Sequence, residues 1–249
     1  MLILLPPSET KRAGGRGRAL DAASLAFPSL EPQRAAVIDA LVALAADEDA
    51  AMRVLKLSAG QRGEIAANGV LRDSPTMAAV DRYTGVLFDA LDAASLPAAS
   101  RRWLGAHVMV HSAPFGPVSA LDPIPAYRLG ASASLPGLAS LTRVWADAVT
   151  AAIEKSRSRF VLDLRSEAYV ALGPVPATVA SVYVRVVTEG DGGAVRALNH
   201  FNKHAKGALV RRLAEERPRV SSLAGFARWA AASGLRIEDG AAGELRLFA

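Results

Sequence analysis

Residues 2–5 read Leu-Ile-Leu-Leu, with Pro6-Pro7 directly behind them. Four apolar residues in a row, with no polar alternation, leave neither face of an extended segment for water. The prolines stop the run, because each lacks an N–H and holds its own φ. The run predicts a buried first strand in a covered sheet, and so an α/β (mixed α+β) chain with a central mixed sheet flanked by helices. It also predicts that "PPSETKRAGGRGR", residues 6–18, is a loop at the end of a central strand. Such loops are where α/β sheets usually hold their ligands.

The rest of the chain reads as alternating helices and strands. Residues 31–46 are a helix with Pro32 in its first turn and Val37, Leu41 and Leu44 at helical spacing. Residues 58–69 are a short helix capped by Ser58 and closed by Gly69. The stretch 51–58 is ambiguous between helix and strand. Helical periodicity over 76–92 breaks at Gly85, and 96–105, 137–156, 202–217 and 222–234 read as further helices. Strands are expected at 106–112, 159–166 and 181–189. A fourth, over 194–201, follows the turn "GDGG", and a closing hairpin spans 235–248. Residues 113–136 carry five prolines and two glycines and read as a long ordered loop, pinned by Phe115 and Tyr127. The expected architecture is one domain over residues 1–249, with a sheet of roughly six to eight strands.

Composition excludes some chemistry. The chain has no cysteine, so disulfides, thiolate metal sites and cysteine nucleophiles are out. His200 and His204 are four apart, but no Glu stands between them in the metalloprotease pattern, and His200 falls in an expected strand; no metal or other cofactor is expected. A net charge of +5 and a pI near 9.9 favour phosphates, nucleic acid or anionic surfaces. No targeting segment and no membrane span are expected, which points to the cytoplasm.

Polar residues gather where apolar elements meet loops. These are Ser8, Glu9 and Lys11; Tyr83, Thr84 and Gly85; Asp122 with Tyr127 and Arg128; Arg165, Ser166, Glu167 and Tyr169; and Asn202, Lys203, Lys206 and Gly207. Each group has an ordinary structural role open to it: solvated charge, turn initiation or helix capping. The sharper expectation is convergence on one positive pocket. Lys11, Arg128, Arg165, Lys203 and Lys206 would grip a phosphate-bearing ligand. Lys206-Gly207, near a helix start, would let backbone approach an anion. Asp122 and Glu167 are the two carboxylates placed for acid/base work, if any reaction is catalysed. "LPGLASLTR", residues 135–143, fits a helix-hairpin-helix DNA-binding turn loosely, although no helix is expected before it.

Taken in order, "MLILLPPSETK", "YTGVLFDAL", "FGPVSALDPIPAYRLG", "VWADAV", "VLDLRSEAYV" and "HFNKHAKGALVR" resemble the YaaA family of bacterial proteins, linked to peroxide stress. The departures are Glu9 where many members have alanine, Lys206 for arginine, Ala146 for glycine, and Ala168 for an acidic residue. They resemble an actinobacterial-type branch. The resemblance implies a cytoplasmic protein that binds DNA through a positively charged cleft and a helix-hairpin-helix element, and that limits iron-dependent oxidative damage. An enzyme acting on a nucleotide or nucleobase-like molecule in the same pocket is the competing expectation. It rests on the tyrosines and carboxylates, which exceed what a phosphate grip requires.

Overall fold

The computed structural model describes residues 1–189, 195–196 and 199–248. β1 (Leu2–Leu5) is buried along its whole length, so both faces of the sheet are covered there. α1 (Glu31–Ala45) starts at Glu31-Pro32 and buries Val37, Ile38, Leu41 and Leu44. The first half of the ambiguous stretch, residues 51–54, falls in α2 (Glu48–Val54), whose first turn is capped by the Asp47 carboxylate. Ser58 and Gln61 form a capping box on a short 3-10 turn that runs into α3 (Ile65–Gly69).

The region around Gly85 divides as its periodicity suggested. β2 (Met77–Ala78) and α4 (Ala79–Arg82) precede Tyr83, and α5 (Val86–Leu91) follows Gly85. α6 (Ala98–His107) leads into β3 (Val108–Ser112). The proline-rich stretch is ordered, and it contains two strands where a loop alone was expected: β4 (Gly116–Ser119) and β5 (Pro123–Ile124). Pro117 and Pro123 hid them, because proline argues against strand, yet β4 is an edge strand, where proline is tolerated. Phe115 and Tyr127 are buried as anchors.

α7 (Leu141–Lys155) is capped by Ser140, and its Trp145 donates its indole N–H to the Ala113 carbonyl at 3.0 Å. β6 (Val161–Asp163) ends in polar residues, and α8 (Glu167–Val170) begins after Ser166. β7 (Ser181–Glu189) pairs with the two residues of β8 (Val195–Arg196). The "GDGG" turn lies outside the described residues. The strand expected over 194–201 is shorter than the sequence suggested, because α9 (Asn199–Glu216) already includes His200. α10 (Leu223–Ala232), β9 (Ile237–Asp239) and β10 (Glu244–Phe248) close the chain, the last two as the expected hairpin.

The fold is mixed α/β. The main sheet has the order β4-β3-β1-β6-β7-β10-β9, with β8 hairpinned on β7. β3, β1, β6 and β7 run parallel, while β4 and β9 are antiparallel to their neighbours. The chain leaves β1 for β3 on one side and later returns for β6 on the other. β1 therefore sits at a point where the winding switches sides, and a crevice opens beyond the carboxyl ends of such strands. Register aligns those ends: Leu5 faces Val110, and Leu4 faces Asp163. No helix-hairpin-helix forms at Leu135-Pro136-Gly137-Leu138. No helix precedes it, Gly137 has φ 73°, and the stretch is a turn before α7.

Candidate functional site

Three loops leave the carboxyl ends of β1, β3 and β6, and two packed groups of polar side chains form there. The first is built on the loop after β1. Lys11 bridges Tyr83 in antiparallel fashion, the Thr84 N–H donates to the Thr10 carbonyl at 3.2 Å, and the Arg12 N–H donates to the Arg82 carbonyl at 2.8 Å. Gly85 has φ 95°, and a Cβ there would meet the Ser8 and Thr10 hydroxyls at 3.3 and 3.4 Å. Glycine is needed for both the dihedral and the close approach. Thr84 completes the seam by donating to the Thr10 hydroxyl at 3.0 Å.

Within this seam the Lys11 ammonium donates to the Ser8 carbonyl at 2.9 Å and to the Glu9 carbonyl at 3.3 Å. It lies 4.0 Å from the centroid of the Tyr127 ring and 5.5 Å from that of Tyr83. The two tyrosine hydroxyls share a buried 2.8 Å hydrogen bond. Arg128 reaches Glu9 at 3.3 Å and Glu64 at 3.2 Å, and its backbone is clamped by buried Asn68 through bonds of 2.7 and 2.9 Å. Asn68 was not singled out in the sequence, where its role had no local signal.

The second group follows β6. Arg165 is fully buried and binds both oxygens of Asp163, at 2.9 and 2.6 Å. It also donates to His111 Nδ1 and to the Gly173 carbonyl, both at 2.9 Å, and to the Tyr169 carbonyl at 3.3 Å. Because Nδ1 of His111 accepts, its proton sits on Nε2, which is buried with no hydrogen-bond partner among the described residues. Burial, with the Arg165 charge beside it, holds His111 well below the usual histidine range, so the ring is neutral. Lys206 donates to the Arg165 carbonyl at 3.4 Å. Tyr169 connects the two groups: its ring lies 5.9 Å from that of His111, and burial followed by the nearby Tyr83 and Glu9 raises its phenol.

Ser8, Lys11, Tyr83, Thr84, Gly85, Tyr127 and Arg128 thus come together, and Arg165, Tyr169 and Lys206 come together beside them. Ser166 is exposed and opens α8, and Glu167 meets Arg185 at 3.4 Å. Three residues stand apart. Asp122 accepts from the Ala26 and Ser119 N–H groups at 2.7 and 2.9 Å. Ser119 pairs with Met109 at the opening of β3, the opposite end from the cluster. Lys203 is exposed on α9. Gly207 lies inside α9 rather than near its start, so Lys206-Gly207 makes no helix-terminal anion site. A Cβ on Gly207 would fall 2.1 Å from the Leu87 carbonyl oxygen of α5. Sequence reasoning also missed Asp163 and Arg185, whose meaning depends on strand neighbours.

The electrostatics are those of enclosed cations rather than a displayed stripe. Burial pushes the Lys11 amine down to about 7, with Glu9 opposing the effect. Its ordinary value is 10.5. Between those values the unfolded chain keeps the proton and the folded chain does not, so stability rises with pH across that window. Lys206, lowered by burial to about 8, acts in the same direction above that pH. Lys11→Met is expected to remove on the order of 1–2 kcal/mol of the gain between pH 7 and 9, read from urea midpoints. An unchanged pH slope in Lys11→Met would rule out an enclosed amine.

The description "Peroxide stress protein YaaA" belongs to the family that matches residues 1–239. A UPF0246 protein of Corynebacterium efficiens is 45% identical over 244 residues, covering 96% of this chain and 95% of its own. One from Streptomyces coelicolor is 43% identical over 219 residues, 86% of this chain and 82% of its own. A more distant one, from Bordetella avium, is 27% identical over 232 residues, 89% of this chain and 88% of its own.

Proposed function

The chain belongs to the YaaA peroxide-stress family, and from that premise we propose that it serves the peroxide-stress response by binding the phosphate backbone of DNA through the loop that follows β1. One observation carries the reading. Arg12, Arg16 and Arg18 are exposed on this loop, and among the described residues none has an ion pair or a side-chain hydrogen bond.

The loop is held rigid. Buried Arg82 donates to the Arg12 carbonyl at 2.5 Å, to the Pro75 carbonyl at 3.0 Å and to the Ile124 carbonyl at 3.1 Å. The Gly17 N–H donates to the Thr76 carbonyl at 2.9 Å, and the Thr76 hydroxyl donates to the Arg18 carbonyl at 2.8 Å. A Cβ at Gly15 would meet the Thr76 carbonyl oxygen at 2.5 Å, so the loop lies flat on that segment. A loop already tied down adds no backbone-ordering cost when its arginines meet a polyanion, so the ordering cost that remains is that of the three side chains. Of the cations first expected to line a cleft, Lys11, Arg128, Arg165 and Lys206 are enclosed or paired and Lys203 stands apart on α9, which moves the proposed contact surface from the cluster to this loop.

Binding of duplex DNA, followed by fluorescence anisotropy, is expected to weaken with salt as counterions are released. Replacing Arg12, Arg16 and Arg18 together with alanine is expected to lower the slope of log K against log salt by about 3, at roughly 0.9 per lost contact. An unchanged slope in that variant, or no duplex binding at low salt, would defeat the proposal. The enzyme reading is weaker than the sequence suggested, because Asp122 is bound to two backbone N–H groups away from the cluster.

A further inference from the structure

Lys11 sits among groups that do not neutralise it. The Ser8 and Glu9 carbonyls accept from its nitrogen at 2.9 and 3.3 Å, and no carboxylate lies in ion-pair range of it among the described residues. The Glu9 and Glu64 carboxylates turn to Arg128 instead, at 3.3 and 3.2 Å. Arg128 also donates to the Glu9 carbonyl at 3.3 Å, so one backbone oxygen serves two basic side chains. Arg82, buried behind the same loop, adds a second guanidinium charge to the surroundings of Lys11. The Tyr127 and Tyr83 rings, at 4.0 and 5.5 Å, supply aromatic walls.

A lysine that is desolvated and set beside other cations gives up its proton readily, and a neutral amine is a nucleophile. Two carbonyl acceptors match the two N–H bonds of a neutral amine and leave its lone pair free, whereas an ammonium carries a third donor. Burial is the largest influence on this amine and brings it down to about 7, so about half of it is neutral at pH 7. An ordinary lysine, near 10.4, has roughly one amine in two thousand neutral at that pH.

We propose that Lys11 is a nucleophilic amine that condenses with a small aldehyde to form an imine. The nitrogen lone pair adds to the carbonyl carbon, and the C–O bond then breaks as the C=N bond forms. The oxygen leaves as water with the two N–H protons, so atoms balance and nothing is oxidised or reduced. Lysine is the side chain suited to this step, because its amine is made reactive by burial. Lys11 is half-buried, where Lys206 is 5% exposed, and an amine so placed favours a small carbonyl partner over a bulky one. The site does not depend on the exposed arginines or on the DNA reading.

The test uses the full chain with propanal and cyanoborohydride, which reduces an imine to a stable secondary amine. Peptide fragment ions locate the label and separate Lys11 from the Met1 amine, which burial also lowers. At pH 7, Lys11 is expected to be labelled at least tenfold faster than the exposed Lys56, Lys155 and Lys203. That ratio should fall as pH is raised from 7 to 10, because ordinary amines then lose their protons too. Arg128→Met frees the Glu9 and Glu64 carboxylates to hold an ammonium, and is expected to slow Lys11 labelling at pH 7 at least threefold. Far-ultraviolet circular dichroism and urea midpoints check that the variant folds; if it does not, the parent's ratio decides alone. Labelling of Lys11 no faster than that of the exposed lysines at pH 7, or a ratio that rises with pH, would mean that the carbonyls and the Tyr127 face hold an ordinary ammonium, and would overturn the proposal. Undiminished labelling in folded Arg128→Met would overturn it as well.

Discussion

Replacing Arg165 with methionine is expected to cost about 3–5 kcal/mol of stability, a third or more of what a domain of this kind usually has. Arg165 is fully buried, and all its hydrogen bonds go to groups packed around it: Asp163, His111, Tyr169 and Gly173. Asp163 is itself 4% exposed, so removing the guanidinium leaves a carboxylate without its partner in a dry site. The cost is mainly that abandoned charge, not the value of the pair. Arg165→Met with Asp163→Asn should therefore recover part of the loss, because a neutral amide is cheaper to bury than an unpaired carboxylate. Urea unfolding of the two variants and the parent checks this. A loss under about 1 kcal/mol in the single variant would show that the network carries little of the fold, and no recovery in the double one would show that the abandoned carboxylate is not the main cost. Tyr169 and His111 are placed by the same guanidinium, so the single variant should also disturb their nuclear magnetic resonance signals while leaving α10 unchanged.

Gly207→Ala is the second large effect. Alanine is the better helix former by about 1 kcal/mol, so an isolated α9 would gain from the change. In the folded chain the new Cβ would sit 2.1 Å from the Leu87 carbonyl oxygen and 2.9 Å from the Ala90 Cβ. The obstacle is the backbone of α5 together with a short side chain, neither of which can swing away. Overpacking of this kind costs about 1–3 kcal/mol, and a backbone obstacle belongs at or beyond the upper end. The expected net result is a Tm lowered by roughly 5 °C, measured by scanning calorimetry. A raised Tm would mean that helix propensity wins and that α5 and α9 can separate freely. The motion would also tilt the segment that carries Tyr83 and Gly85, so the three Thr10–Thr84 hydrogen bonds should loosen together with it.

These two cases explain why the candidate site was only partly legible. Lys11, Tyr83, Tyr127 and Arg128 were named from their position beside apolar runs, and they do meet. The pairing of Arg128 with Glu9, Glu64 and Asn68 was not readable, because those partners lie far from Arg128 in the chain. Lys203 and Lys206, three apart on a helix, read as one face; tertiary packing leaves one exposed and encloses the other. Asp122 had a plain turn reading and a catalytic one, and the Ala26 and Ser119 N–H groups support the turn.

The order of hydrophobic runs, their periods and the prolines and glycines between them were enough to specify most helices, the buried first strand and the mixed α/β class, because these depend on local sterics and on which faces must leave water. The six ordered motifs were likewise enough to indicate the family. Strand order, the switch of winding at β1 and the enclosure of Lys11 and Lys206 came only with the tertiary structure. They depend on which distant carbonyls and carboxylates arrive beside each charge, and no local pattern encodes that. The physical reason is that a cation's behaviour is set by its burial and its partners, both of which are created when the sheet closes.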